Sequence, residues 1–168
     1  MIIICKFSLH LKKTNYMNTK LLTSLMIIAL LFTFMINVSA QNPDKIVGTW
    51  LTQDGDSKIE ISKNTKGNYE GKIIWLKTPL NEAGKPKVDH KNPEVKLQSR
   101  PILGLKLLEN FVFVQDDQEW TDGTIYDPKS GSTYKCNMWF DGNDKTLYVK
   151  GYIGFSLIGK KVTWTRVN

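Results

Sequence analysis

Histidine and cysteine, the side chains best suited to covalent and metal chemistry, are scarce after the first forty residues. His90 is the one histidine there, and Cys136 is the one cysteine. A catalytic nucleophile needs a base within hydrogen-bond reach and a third group that orients the base. His90 lies in a proline-rich segment typical of a solvated loop, and Cys136 alternates with apolar residues, as an inert core thiol does. We therefore predict that the protein is not an enzyme and has no catalytic residues.

Acidic residues cluster at two places where they could suggest a calcium site. Asp54 and Asp56 flank Gly55, and Asp141 and Asp144 enclose a second glycine-containing stretch. Turn chemistry explains both clusters better, because an Asp side chain bonds the backbone of its own turn. Neither a glycine-rich phosphate loop nor a Cys/His ligand spacing occurs in the sequence. The sequence thus predicts no metal site and no cofactor.

Arg100 is a candidate for binding a charged group. It and Arg166 are the two arginines of the chain. A guanidinium is a planar fork suited to a carboxylate or a phosphate, and Pro101 biases Arg100 towards extended backbone. Two roles stay open: contact with a ligand, or a structural salt bridge, to Asp127 or Glu109, that pins the surrounding loop.

Aromatic residues are abundant, and five of them are tryptophans. They could fill the core, since each buries a large area, or line a cavity for a small apolar or amphipathic ligand, since such sites are mostly apolar. We assign Trp50 and Trp164 to packing. The candidate ligand-binding residues are Trp75, Tyr126 and Tyr152, together with Arg100.

The elements that must position these residues are short strands separated by turn signals. No long stripe of 3.6-residue period occurs after residue 40, and the segment 77–104, with four prolines, predicts a long loop or a short helix within it. Trp75 is expected on the same face of its strand as Ile73, and Gly151 is expected to interrupt a strand. The predicted fold is all-β, a single small antiparallel up-and-down barrel of about eight strands, whose interior is filled or holds one small ligand. The strands are predicted over 46–52, 58–62, 69–76, 105–115, 119–126, 132–140, 146–150 and 161–167.

The first forty residues predict a secretory signal peptide. A basic start, an apolar run over 21–36 and a small-residue exit at Ala40 are its three parts, and the run is too short to span a bilayer. We expect translation to start at Met17 and cleavage to leave 41–168 as one domain, periplasmic or secreted, with no membrane span.

Four of the 23 basic residues and none of the 16 acidic residues lie in this leader, so the net charge falls from +7 to +3. The remaining charges are mixed in sign, which argues against a nucleic-acid partner.

A glycine–tryptophan motif near the start of the domain and an arginine near its end resemble a pair of motifs in the lipocalin and avidin-like barrels. Gly48-Thr49-Trp50 lies on the first predicted strand and Trp164-Thr165-Arg166 on the last. The resemblance implies that Arg166 packs over Trp50 and closes the barrel, with Gly48 as part of the same structural motif.

Six segments in order also resemble the bacterial family called domain of unknown function 2147: 48–51, 71–76, 100–105, 123–131, 151–154 and 164–166. That resemblance implies an exported, lipocalin-like protein and no established activity.

Two functions remain open. The first is a module that binds a small apolar or amphipathic molecule inside the barrel. The second is a non-catalytic structural or interaction module of the cell envelope, with a solid core and a protein partner. A void of a few hundred cubic ångströms inside the barrel would favour the first.

Overall fold

The computed structural model describes residues 42–155 and 158–167. The predicted signal peptide, residues 1–40, lies outside the described residues and stays a prediction. Within the described part of the chain, no helix combines the length and the apolar character needed to cross a membrane.

Eight antiparallel strands form a closed barrel in which each strand pairs with its neighbour in sequence and β1 pairs with β8. This confirms the predicted fold class. Short 3-10 helices cover Pro43–Ile46, before β1, and Val95–Leu97, inside the long β3–β4 loop. The strands are β1 Gly48–Leu51, β2 Ser57–Lys63, β3 Tyr69–Leu76, β4 Lys106–Val114, β5 Glu119–Asp127, β6 Ser132–Phe140, β7 Thr146–Tyr152 and β8 Gly159–Val167.

Two sequence expectations about strands were wrong. Gly151 does not interrupt β7, because it pairs with both Cys136 and Lys160 and the strand continues to Tyr152. Trp75 does not share the face of Ile73, because the pairing shifts between Ile59, opposite Ile73, and Lys58, opposite Trp75. A bulge of this kind inserts one extra residue and reverses the alternation beyond it.

Aromatic side chains fill one end of the barrel, which we call the closed end. Trp120 is at its centre: its ring centroid lies 5.3 Å from that of Phe140, 4.9 Å from that of Phe113 and 6.3 Å from that of Tyr69. The indole of Trp50 lies 5.8 Å from Phe140. Centroid separations of this size are those of favourable aromatic pairs, so these rings form a packed plug.

Close packing of this plug requires a glycine on β5. A Cβ at Gly123 would lie 2.4 Å from the ring of Phe111, which is fully buried. Only a residue without a side chain leaves room for that ring.

The 3-10 helix Pro43–Ile46 covers the closed end. Ile46 is fully buried, and its carbonyl accepts a 2.9 Å hydrogen bond from the indole Nε1 of Trp50. The hydroxyl of Tyr69 donates to the carboxylate of Asp44 over 2.6 Å, and the Lys63 ammonium lies 2.9 Å from the same oxygen. The hydrogen bond from Tyr69, followed by that from Lys63, lowers the pKa of Asp44.

Arg166 joins the last strand of the barrel to the first strand and to the residues just before it at this closed end. Its guanidinium carbon lies 4.3 Å from the centre of the Trp50 ring. The same group donates to the backbone carbonyls of Asp144 (2.9 Å), Val47 (3.1 Å) and Lys45. A Cβ at Gly48, whose φ is +140°, would lie 2.8 Å from the Arg166 Nη1 atom, so the guanidinium occupies the space that a side chain would need.

Replacing Arg166 with lysine is expected to lower the free energy of unfolding by about 1–3 kcal/mol. Lysine keeps the charge but cannot reach three carbonyls and cover the indole at once. Urea unfolding followed by tryptophan fluorescence measures the change. Lys161→Met is the control, because the Lys161 ammonium lies 4.9 Å from the ring centre of the half-buried Tyr148 in a contact of the same type. A loss no larger in R166K than in this control would contradict the role of Arg166.

Candidate functional site

The open end of the barrel contains a cavity of about 540 Å³. Its position follows from side-chain size: the large rings lie at the closed end, whereas the inward positions of the other half carry mostly aliphatic residues. Trp164, 3% exposed, lies among the residues that line it. The aliphatic lining comes from six strands, through Ile59, Ile73, Leu107, Ile125, Val149 and Val162.

Charged residues of two turns meet on one side of the cavity mouth. The Lys129 ammonium, in the β5–β6 turn, lies 2.6 Å from Asp56 and 3.7 Å from Asp54, in the β1–β2 turn. Burial would raise the pKa of Asp56, but hydrogen bonds from Lys129, Ser57 and Thr52 together outweigh it and hold that pKa below its ordinary value. The hydrogen bond to Asp56 raises the pKa of Lys129. This ion pair ties the two turns together.

Lys160 lies at the mouth on the side of β7 and β8. It pairs with Gly151 in the sheet and shares the inward face of β8 with Val162 and Trp164, since alternate residues of a strand point the same way. Lys160 is among the residues that line the cavity. A lysine is therefore present at the edge of an apolar interior.

Two of the four predicted ligand-binding residues lie beside the cavity. Tyr126 and Tyr152 both contribute to its lining. Their register places each side chain on the face opposite to that of its inward neighbour, Ile125 or Gly151. The Tyr126 hydroxyl donates to Asp89 over 2.7 Å, and the Tyr152 hydroxyl lies 3.4 Å from the Asn137 side-chain oxygen. Both residues thus form part of the wall, with their hydroxyls engaged elsewhere.

The other two predicted residues lie away from the cavity lining. Trp75 is 39% exposed on the outer face, where the Lys58 ammonium lies 5.2 Å from its ring centre. Arg100 forms the structural salt bridge that was one of its two predicted roles, but its partner is Asp89 and neither Asp127 nor Glu109. The structure brings Arg100 together with Tyr126, whose ring centre is 5.5 Å from the guanidinium carbon.

Asp89 is the centre of a polar cluster beneath the long loop. Its side chain is fully buried, and Oδ2 accepts from Arg100 Nε (3.0 Å), Arg100 Nη2 (2.9 Å) and Asn92 Nδ2 (2.8 Å). Oδ1 accepts from the Tyr126 hydroxyl, and burial together with this hydrogen bond raises the pKa of Tyr126. A buried carboxylate is stable only when it is paired and hydrogen-bonded, and this one has both.

The cluster fixes the loop 77–104 to the barrel. Val88 and Pro101 form a β-bridge within the loop, and the Lys91 carbonyl oxygen lies 2.0 Å from where a Cβ of Gly131 would be. Gly131, with φ of +77°, is thus required by both its turn and this contact. The short helix that the sequence allowed in this loop is present at Val95–Leu97.

His90 and Cys136, the two residues considered above for covalent or metal chemistry, lie in different surroundings. His90 is exposed, with Nδ1 3.4 Å from the Val88 carbonyl oxygen. Cys136 is fully buried, and burial raises the pKa of its thiol to about 12, so it stays protonated near neutral pH. Among residues 42–155 and 158–167, no group of three or more His, Cys, Asp or Glu side chains is arranged to hold a metal ion.

Sequence reasoning missed three residues of this region: Asp89, Asn92 and Lys160. Asp89 lies next to His90 and in the same loop as Arg100, and this proximity in sequence was the signal that could have identified it as the partner of Arg100. Lys160 fell in a gap between two predicted strands, so its face was not assigned. The aliphatic lining gave no signal distinct from that of an ordinary core.

Comparisons with known proteins agree with this architecture. A family profile described as an uncharacterized protein conserved in bacteria (DUF2147) matches residues 48–166. The chain belongs to the DUF2147 family. No curated protein sequence matches it. A similar solved structure is protein HP1028 from the human pathogen Helicobacter pylori, described as belonging to the lipocalin family. It is 24% identical, with a TM-score of 0.62 over 73% of this chain and 83% of that chain, which shows a shared fold.

Replacing Asp89 in this DUF2147 protein with asparagine is expected to lower the free energy of unfolding by about 2–4 kcal/mol. The neutral amide would remove the negative charge that pairs with the Arg100 guanidinium, and with its oxygen facing Arg100 its N–H groups would face the Tyr126 hydroxyl, which donates in the native protein. Urea unfolding gives the free energy, and hydrogen exchange locates the change, which should be greatest over 77–104.

Glu94→Gln is the matched control in the same loop. It breaks the Glu94–Lys96 pair, whose side chains are 57% and 79% exposed, and should change stability by less than about 0.5 kcal/mol. Equal effects of D89N and E94Q would show that the buried cluster does not hold the loop.

Proposed function

We propose that this DUF2147 protein is an exported binding module that holds a small apolar or amphipathic molecule in the open end of its barrel. The observation that carries the proposal is the cavity of about 540 Å³ with an aliphatic wall. Protein sites for small ligands are concave, mostly apolar and of roughly 300–1,000 Å³.

The chemistry of the wall supports an apolar occupant. Water in contact with Ile59, Ile73 and Val149 gains few hydrogen bonds, so its replacement by apolar atoms is favourable. A volume of this size suits a small ligand, since such ligands occupy protein sites of roughly 300–1,000 Å³.

The alternative function, a module with a solid core, receives less support. It requires an interior that is packed throughout, whereas here the rings around Trp120 and Phe111 pack closely at one end and a cavity occupies the other. The loop 77–104, which would carry a protein contact, has its central polar groups directed into the molecule through Asp89.

Gly151→Met is expected to weaken binding of a neutral fluorescent apolar probe, such as N-phenyl-1-naphthylamine, by at least about tenfold. A Cβ at Gly151 would lie 3.4 Å from Ile125 and 3.5 Å from Tyr134, so a methionine would extend into the cavity without an initial clash. Fluorescence titration of protein purified from cells that express the full chain gives the dissociation constant.

Lys150→Met is the control, since the adjacent position of β7 pairs with Asn137 and Lys161 on the outer face. It should bind the probe as the unsubstituted protein does. No binding by the unsubstituted protein, or equal binding by G151M, would reject the cavity as a ligand site, and native mass spectrometry of protein from its own envelope would then be expected to find no ligand.

Export rests on the signal peptide predicted for residues 1–40. Expression of the full chain in a bacterium should release a periplasmic or secreted protein whose first residue is Gln41, because a signal peptidase cuts after a small residue such as Ala40. Amino-terminal sequencing of each cell fraction measures this. An intact leader on cytoplasmic protein would contradict export and leave the binding proposal standing.

A further inference from the structure

We infer that the cavity selects single-chain amphiphiles with an anionic head group, and that Lys160 binds that head at the mouth. The inference rests on the proposed ligand-binding function and adds the charge and orientation of the ligand. It starts from the placement of a lysine on the inward face of β8, where the next two inward residues, Val162 and Trp164, are apolar.

The position of Lys160 is defined by its strand neighbours. It is two residues from Val162 and four from Trp164, both of which line the cavity, so all three point to the interior. Lys161 points the other way, with its ammonium over the outer ring of Tyr148. Lys160 therefore faces inward and its neighbour Lys161 faces outward, so Lys161 offers a matched control for the charge of Lys160.

The carboxylates at the mouth are engaged with other partners. Asp56 and Asp54 share the Lys129 ammonium. Asp127 accepts from the Ser130 hydroxyl (2.7 Å) and from the backbone N–H of Lys129 (2.9 Å). In the part of the chain that the structure describes, no carboxylate oxygen lies within 4.0 Å of the Lys160 ammonium.

A lysine at the cavity mouth can keep its ammonium group in water while the site is empty, so its charge need not be buried before an anion binds. Its aliphatic stem can lie against the apolar wall while the ammonium stays at the water boundary. A ligand tail inside the cavity would put its head group at this boundary, where opposite charges attract more strongly than in bulk water. A carboxylate or a phosphate head would be favoured there, and a cationic head would be repelled.

Three ligands with the same ten-carbon tail test the inference: decanoate, decanol and decylammonium. At pH 8 and low salt, the protein should bind decanoate about tenfold more tightly than decanol, and decylammonium more weakly than either. Isothermal titration calorimetry on protein purified from cells that express the full chain measures the three affinities.

Lys160→Met should remove the preference for decanoate and leave the affinity for decanol unchanged. Lys160→Arg should retain the preference, because it keeps the charge. Lys161→Met, which removes the outward charge of the adjacent residue, should retain it as well. Rising salt should reduce the preference in the unsubstituted protein and have no such effect in K160M.

The outcomes separate this inference from the function on which it rests. Binding of none of the three ligands would reject the ligand-binding function itself. Equal binding of decanoate and decanol, or an undiminished preference in K160M, would overturn the role of Lys160 while leaving an apolar binding site. A preference lost equally in K161M would show that only the net charge of the surface matters, and would also overturn it.

Discussion

The pairing of β1 with β8 is the contact on which the rest of the structure depends, because it turns a meander of eight strands into a closed barrel. Once closed, the barrel has an interior whose width is set by strand number, and every inward side chain must fit that width. The guanidinium of Arg166 reinforces the closure by joining backbone carbonyls before β1 and before β7 to the indole of Trp50.

The distribution of side-chain size along the barrel then decides where it is solid and where it is hollow. Rings from β1, β3, β4, β5 and β6 crowd the closed end, so that β5 must supply Gly123 opposite Phe111. Beyond them the inward residues are mostly aliphatic, and Gly151 contributes no side chain at all. Ring packing is thereby concentrated in one half of the barrel, and the cavity lies in the other.

The sequence predicted the fold well because turn signals and two-residue alternation are local properties, and they located all eight strands. It failed where the outcome depends on contacts between distant residues. The bulge that turns Trp75 outward arises from its register with β2, and the choice of Asp89 as partner of Arg100 depends on how the loop folds back. The aliphatic cavity could not be predicted either, since Ile59 or Val149 would look the same in a filled core.

The buried Asp89 cluster argues that the loop 77–104 supports the cavity wall and does not act as a lid. Tyr126 belongs to that wall and donates to Asp89, so the loop is fixed to the outside of the strand that borders the cavity. Movement of the loop across the mouth would strip a fully buried carboxylate of its partners, which is costly. On the side of the mouth formed by β7 and β8, Ile153 and Ile158 line the cavity while remaining 75% and 78% exposed. A ligand that enters along β8 would pass Lys160 on its way to the aliphatic interior, and the partners of Asp89 would stay in place.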